Sequence, residues 1–207
     1  MFQTVRNIMS SGSMVGYFLQ VVPITLLVAA VYCIVRFSRL KKEQEAILWG
    51  KELLRLVFVC YLSGLINLIV MPANFWLYVL DGLVYGWWEE IGTVFTPGWF
   101  NWVPTLFRYM QGKITIGGWM RAMLIGNVAM FLPFGFLLPL VTEKVRWRNI
   151  WWIALAVPLT MEFLQLFLGR SFDVDDLICN YIGIILGFLL AMAVQKFRRC
   201  REGSKTA

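Results

Sequence analysis

The sequence predicts an all-α, polytopic membrane helix bundle with about five transmembrane helices, and three observations carry that expectation. Of 207 residues, 59% are hydrophobic and 15% charged, and mean hydropathy is +0.69, which lies outside the range of soluble domains. The apolar residues gather into five runs near the roughly 20 residues a helix needs to cross a bilayer core. The 19 Lys and Arg residues, against 12 Asp and Glu, concentrate on alternate connections between those runs.

The runs follow in order. Met14 to Val35 is uncharged, Leu53 to Met71 carries only Arg55, Ala122 to Thr142 is uncharged, Asn149 to Gly169 contains only Glu162, and Leu177 to Gln195 is uncharged. The first reads as a span rather than a signal peptide, because the cations Arg36, Arg39, Lys41 and Lys42 follow it and only Arg6 precedes it. With the N-terminus outside, segments 36–52, 142–149 and 196–207 with Arg55 hold fourteen of the nineteen cations. The positive-inside rule then places the C-terminus in the cytoplasm. The tail 196–207 reads as an orientation signal beside anionic lipid, not as a nucleic-acid patch.

Between the second and third runs, Pro72 to Gly118 holds Trp76, Trp87, Trp88, Trp99 and Trp102. Indole rings favour the headgroup level, so this outer segment is expected to form short interfacial or re-entrant helices broken at Gly86, Pro97-Gly98 and Pro104. An aromatic platform for a lipid or sugar is the functional alternative. No internal repeat or linker is evident, so residues 1–207 read as a single domain.

The absence of histidine removes Ser-His-Asp chemistry, His-ligated metals and an imidazole switch. Cys33, Cys60, Cys179 and Cys200 show no CxxC spacing and read as small apolar fillers, so neither a metal site nor a disulfide framework is expected. No cofactor is expected either.

The polar residues inside the runs carry the functional reading. An ionisable group at the centre of a span costs about 2.5–3.5 kcal/mol on insertion scales, so Glu162 requires a reason. Gln165 and Gly169 follow it at i+3 and i+7, on one helical face. Beyond lies the turn Gly169-Arg170-Ser171-Phe172-Asp173-Val174-Asp175-Asp176, then Asn180, Gly183 and Gly187 on one face with Asp176. Asp173 or Asp175 suits a helix N-terminus. On the third run, Asn127 precedes Pro133, Gly135 and Pro139, and the two prolines are expected to bend the helix and leave irregular backbone. Asn127, Glu162, Gln165, Arg170, Asp173, Asp176 and Asn180 are therefore the candidate ligand-binding residues, facing outward. Pro133, Gly135, Gly183 and Gly187 are the candidate structural positions. The competing reading is interhelical hydrogen-bond glue without a ligand.

Strung together, Asn127-Val128-Ala129-Met130-Phe131-Leu132-Pro133-Phe134-Gly135-Phe136-Leu137-Leu138-Pro139, Glu162-Phe163-Leu164-Gln165, the turn 169–176, and Asn180 with Gly183 and Gly187 resemble the VanZ-like family of bacterial membrane proteins. The resemblance is best over 101–195, where Phe100-Asn101-Trp102-Val103-Pro104 looks like the family's Asn-aliphatic-aliphatic-Pro element with Trp102 departing from the pattern. It implies a multi-pass protein of the bacterial cytoplasmic membrane. The family's namesake is associated with resistance to teicoplanin-type glycopeptides.

Two functions are expected from different classes. The first is a non-enzymatic envelope protein, with membrane lipids and a lipid-linked cell-wall precursor or lipoglycopeptide as partners, and Arg170 on an anionic headgroup. The second is an enzyme acting on an envelope lipid or wall precursor, with Glu162 as general base and Asp173 and Asp176 holding Mg²⁺ or Ca²⁺. No nucleophile motif or other catalytic signature identifies catalytic residues. A transporter is a third class, although five spans without inverted repeats are few for one. Oligomeric state is not legible.

Overall fold

Helices account for nearly all the regular structure of the computed structural model, which describes residues 2–11, 13–43, 47–72, 74–92, 98–115 and 117–203. In chain order the elements are α1 (Phe2–Met9), α2 (Met14–Glu43), α3 (Trp49–Ile69), α4 (Phe75–Tyr85), α5 (Glu89–Gly92), β1 (Phe100–Asn101), α6 (Thr105–Met110), α7 (Gly118–Val141), α8 (Ile150–Phe167), β2 (Phe172–Asp173) and α9 (Val174–Gly203). Five of them, α2, α3, α7, α8 and α9, are long and apolar enough to cross a membrane, and the chain is a multi-pass membrane protein. The helices overrun the apolar runs where basic residues follow: α2 continues past Val35 to Glu43 and α9 past Gln195 to Gly203. Lys and Arg are good helix formers and favour helix C-termini, so the hydrophobic run fixes the span and not the helix end.

The segment between α3 and α7 is broken into short pieces. Gly86 caps α4 with φ of 76°, a left-handed conformation that glycine adopts freely, and Pro104 stands at the N-cap of α6. Pro97 of the expected break, and Lys205 of the basic tail, lie outside the described residues. The prolines of α7 give a different outcome from the expected irregular backbone. The helix is continuous from Gly118 to Val141 through Pro133 and Pro139, because a proline in a span removes one amide donor and strains the turn before it without necessarily breaking the helix.

The chain forms two compact units, Met1–Phe100 with Met161–Phe172, and Asn101–Thr160 with Asp173–Ala207. In the first, α2 packs against α3. Arg36 grips Glu52 with two hydrogen bonds of 2.9 Å, and Arg55 donates to the same carboxylate at 2.6 Å, so the cation that intrudes on the second run is neutralised one turn away. Buried Asp81 on α4 is held by Arg6 of α1 at 2.8 Å, and that guanidinium lies 5.9 Å from the Trp87 ring centroid. Buried Gln20 donates to the Met9 carbonyl and to Asn74.

In the second unit α7 runs along α9. A Cβ on Gly183 would collide with the Val128 carbonyl, and one on Gly187 with that of Leu132. Four residues along one helix match four along the other, so the two helices are parallel. Gly135 is equally constrained from the α7 side, where a Cβ would strike the Ile184 carbonyl. Small residues let the backbones come this close. Gly126, also on α7, has open space at its Cβ position. Gly135→Ala and Gly187→Ala are therefore expected to destabilise the purified protein by about 1–3 kcal/mol as overpacking does, while Gly126→Ala stabilises it by up to about 1 kcal/mol through helix propensity. Thermal unfolding of the three variants in detergent checks this, and equal behaviour would contradict the close approach.

Candidate functional site

The start of α9 organises the polar residues of the second unit. Asp173 is the N-cap, its Oδ1 accepting the Asp175 amide at 2.9 Å, while its Oδ2 accepts from Asn101 Nδ2 at 3.0 Å. Asn101 Oδ1 in turn accepts from Arg108 at 2.8 Å. Both carboxylate oxygens of Asp175 receive the Thr105 amide, at 2.9 and 2.8 Å, satisfying the first free donor of α6. One turn deeper, Asn127 of α7 donates through Nδ2 to Asp176 Oδ1. A further turn along α9, Asn180 is 2% exposed, and its side-chain oxygen has no hydrogen-bond partner among the described residues.

The polar residues of the first unit gather where α8 ends. Gln165 Nε2 donates to the Ile69 carbonyl at 2.9 Å and Arg170 Nη1 to the same oxygen at 2.6 Å. That carbonyl belongs to the last turn of α3, whose acceptors have no helical partner, so two side-chain donors there complete the helix. Gly169 turns the chain with φ of 74°, and the Leu168 and Arg170 amides both bond back to the Gln165 carbonyl at 3.0 Å. Gly98 lies against this turn. Its amide donates to the Leu166 carbonyl at 3.0 Å, and a Cβ there would collide with the Arg170 carbonyl. Glu162, one turn before Gln165, is fully buried, whereas Arg170 is exposed.

Of the seven expected binding residues, the structure thus brings Asn127, Asp173, Asp176 and Asn180 together in one unit and Glu162, Gln165 and Arg170 in the other. Gly135, Gly183 and Gly187 hold the tight contact of α7 with α9. Sequence reasoning left Asp175, Asn101, Arg108 and Asp81 out of the site. Asp81 had a legible signal as the single carboxylate in the apolar stretch 75–88. Asn101 meets Asp173 from far away in the chain and Arg108 meets Asn101, and neither had a signal beyond the family-like Asn-to-Pro element. All four cysteines are free, with Cys200 exposed rather than packed among apolar residues. Among the described residues, no three Cys, Asp or Glu side chains are grouped to hold a metal ion.

The fold and these two polar groups define an all-α, multi-pass membrane protein with hydrogen-bonded polar side chains inside its spans. The family model described as VanZ/LLP1 matches residues 2–195, and the chain belongs to that family. The match covers both units, including the first two spans and the aromatic segment. Comparison with curated proteins and with solved structures finds no match.

The hydrogen bond of Asn127 to Asp176 is expected to couple the two side chains by about 1 kcal/mol, as a bond between two helices within a span. A double-mutant cycle with Asn127→Ala and Asp176→Ala, read as unfolding free energies, measures it. Strict additivity would remove the pair from the account of α7–α9 packing.

Proposed function

We propose that this VanZ-family protein is a non-enzymatic component of the bacterial cytoplasmic membrane that holds a lipid-linked or lipid-tailed ligand of the cell envelope through the polar groups of its spans. By doing so it alters the access of teicoplanin-type glycopeptides to the wall precursor. The observation that carries the reading is Asn180, a buried amide oxygen with no partner among the described residues. An unmet acceptor of this kind costs about 1–3 kcal/mol, and an amide or hydroxyl donor on a ligand would meet it. The buried hydroxyls of Thr25 and Ser63 also lack partners among the described residues, but Asn180 follows Asp176 by one turn of the same helix, and Asp176 holds Asn127. Taken by itself, the first unit has in exposed Arg170 a guanidinium suited to an anionic group, two turns beyond buried Glu162 and close to buried Gln165. The distribution of Lys and Arg supports an N-terminus outside and a C-terminus in the cytoplasm.

Two experiments test the proposal. Asn180→Leu, Glu162→Gln and Arg170→Lys are each expected to abolish protection in a lipoglycopeptide susceptibility assay at matched protein levels, while thermal stability is kept. Asn180→Leu in particular removes an unmet acceptor and should leave stability unchanged or raised. Full protection by all three contradicts the ligand reading, and protection lost in step with folded protein favours structural glue. For orientation, a membrane-impermeant thiol reagent should reach Ser171→Cys in intact cells and Cys200 only after permeabilisation, in a background lacking the other cysteines. The reverse pattern inverts the proposed topology.

A further inference from the structure

The connection between α7 and α8 borders a broad open cavity of about 1360 Å³, whose wall is completed by the C-terminal part of α9. Lys144, Arg146 and Arg148 from the connection and Arg199 from α9 line it, against the carboxylate of Glu143. Among the described residues none of these four cations is held in an ion pair. Pro139, Leu140 and Met192 add apolar lining. The cavity therefore combines cationic side chains with surface that suits hydrocarbon.

The cations are displayed by a fixed backbone. Asn149 Nδ2 donates to the Lys144 carbonyl at 2.8 Å, and its Oδ1 accepts the Arg146 amide at 2.7 Å, so one side chain bonds the turn at two points. Trp147 meets Phe188 of α9 edge to face, with ring centroids 5.1 Å apart. The helices long and apolar enough to cross a membrane end at Val141 and begin again at Ile150, so the turn joins two such helices where a bilayer would present its headgroups. A phosphate accepts several charge-assisted hydrogen bonds at once, and guanidinium groups match its geometry.

We infer that this cavity binds the phosphate-bearing headgroup of an anionic membrane lipid, with the lipid's chains along Pro139, Leu140 and Met192. Basic pockets between spans at the membrane surface recognise such headgroups through these forces. Free inorganic phosphate shares the headgroup's chemistry but has no use for the apolar wall. The site uses none of the residues assigned to the envelope ligand and stands independently of that reading.

The test titrates the purified full chain in neutral detergent with phosphatidic acid, with phosphatidylcholine of the same chains, and with inorganic phosphate, and counts bound lipid by native mass spectrometry. Phosphatidic acid is expected to bind in preference to phosphatidylcholine. Arg146→Gln and Arg148→Gln should each weaken it about fivefold. Arg198→Gln, an exposed cation on α9 outside the cavity wall, should leave it nearly unchanged, which separates a formed site from diffuse attraction. Lys144→Gln serves as a further cavity variant should either arginine variant fold poorly. An equal loss in Arg198→Gln, no preference between the two lipids, or displacement of the lipid by inorganic phosphate at matching concentration overturns the inference.

Discussion

The backbone approach of α7 and α9 at Gly135, Gly183 and Gly187 sets the spacing on which the second unit depends. Asparagine has a short side chain, and Asn127 reaches Asp176 only because the two helices lie near enough for a Cβ at these glycines to strike a carbonyl. In a bilayer there is little hydrophobic drive between helices, so contact of this closeness has to come from dispersion and from polar bonds made possible by it. The same contact fixes the start of α9, from which Asp173 and Asp175 bond the segment around Asn101 and Thr105.

The polar residues consequently divide by what they complete. Asp173 and Asp175 satisfy amides at the starts of α9 and α6, while Gln165 and Arg170 satisfy a carbonyl at the end of α3. These bonds answer the requirement that helix ends meet partners where water is scarce. Asn180 completes nothing of this kind through its oxygen, and Glu162 is a carboxyl buried in an apolar helix where an uncharged residue would be less costly. The proposed function rests on the Asn180 oxygen rather than on the whole set.

Much of this was legible in the sequence because membrane spans write themselves in long apolar runs. All five candidate spans fall on the runs read from residues 14–195. The breaks at Gly86 and Pro104 were legible from glycine and proline chemistry, and Asp173 as a cap from its place ahead of an apolar helix. Pro133 and Pro139 misled, since their local effect gives no measure of how well a helix persists through them. The two-residue strands β1 and β2 pair but are too short to show alternation. The bond between Asn101 and Asp173 joins residues 72 apart, and no local pattern records such a partner. Asp81 stands out in sequence as a lone carboxylate, but neither it nor Gln20 reveals there that another segment answers it.

The central claim is that polar groups inside these spans serve a ligand and not only the fold. Its most direct measurement is the identification by mass spectrometry of lipids that co-purify with the wild-type protein and with Asn180→Leu, at equal amounts of folded protein. The account predicts a lipid-linked or lipid-tailed envelope species enriched with the wild type and depleted from the variant. An identical lipid complement in the two preparations would contradict it.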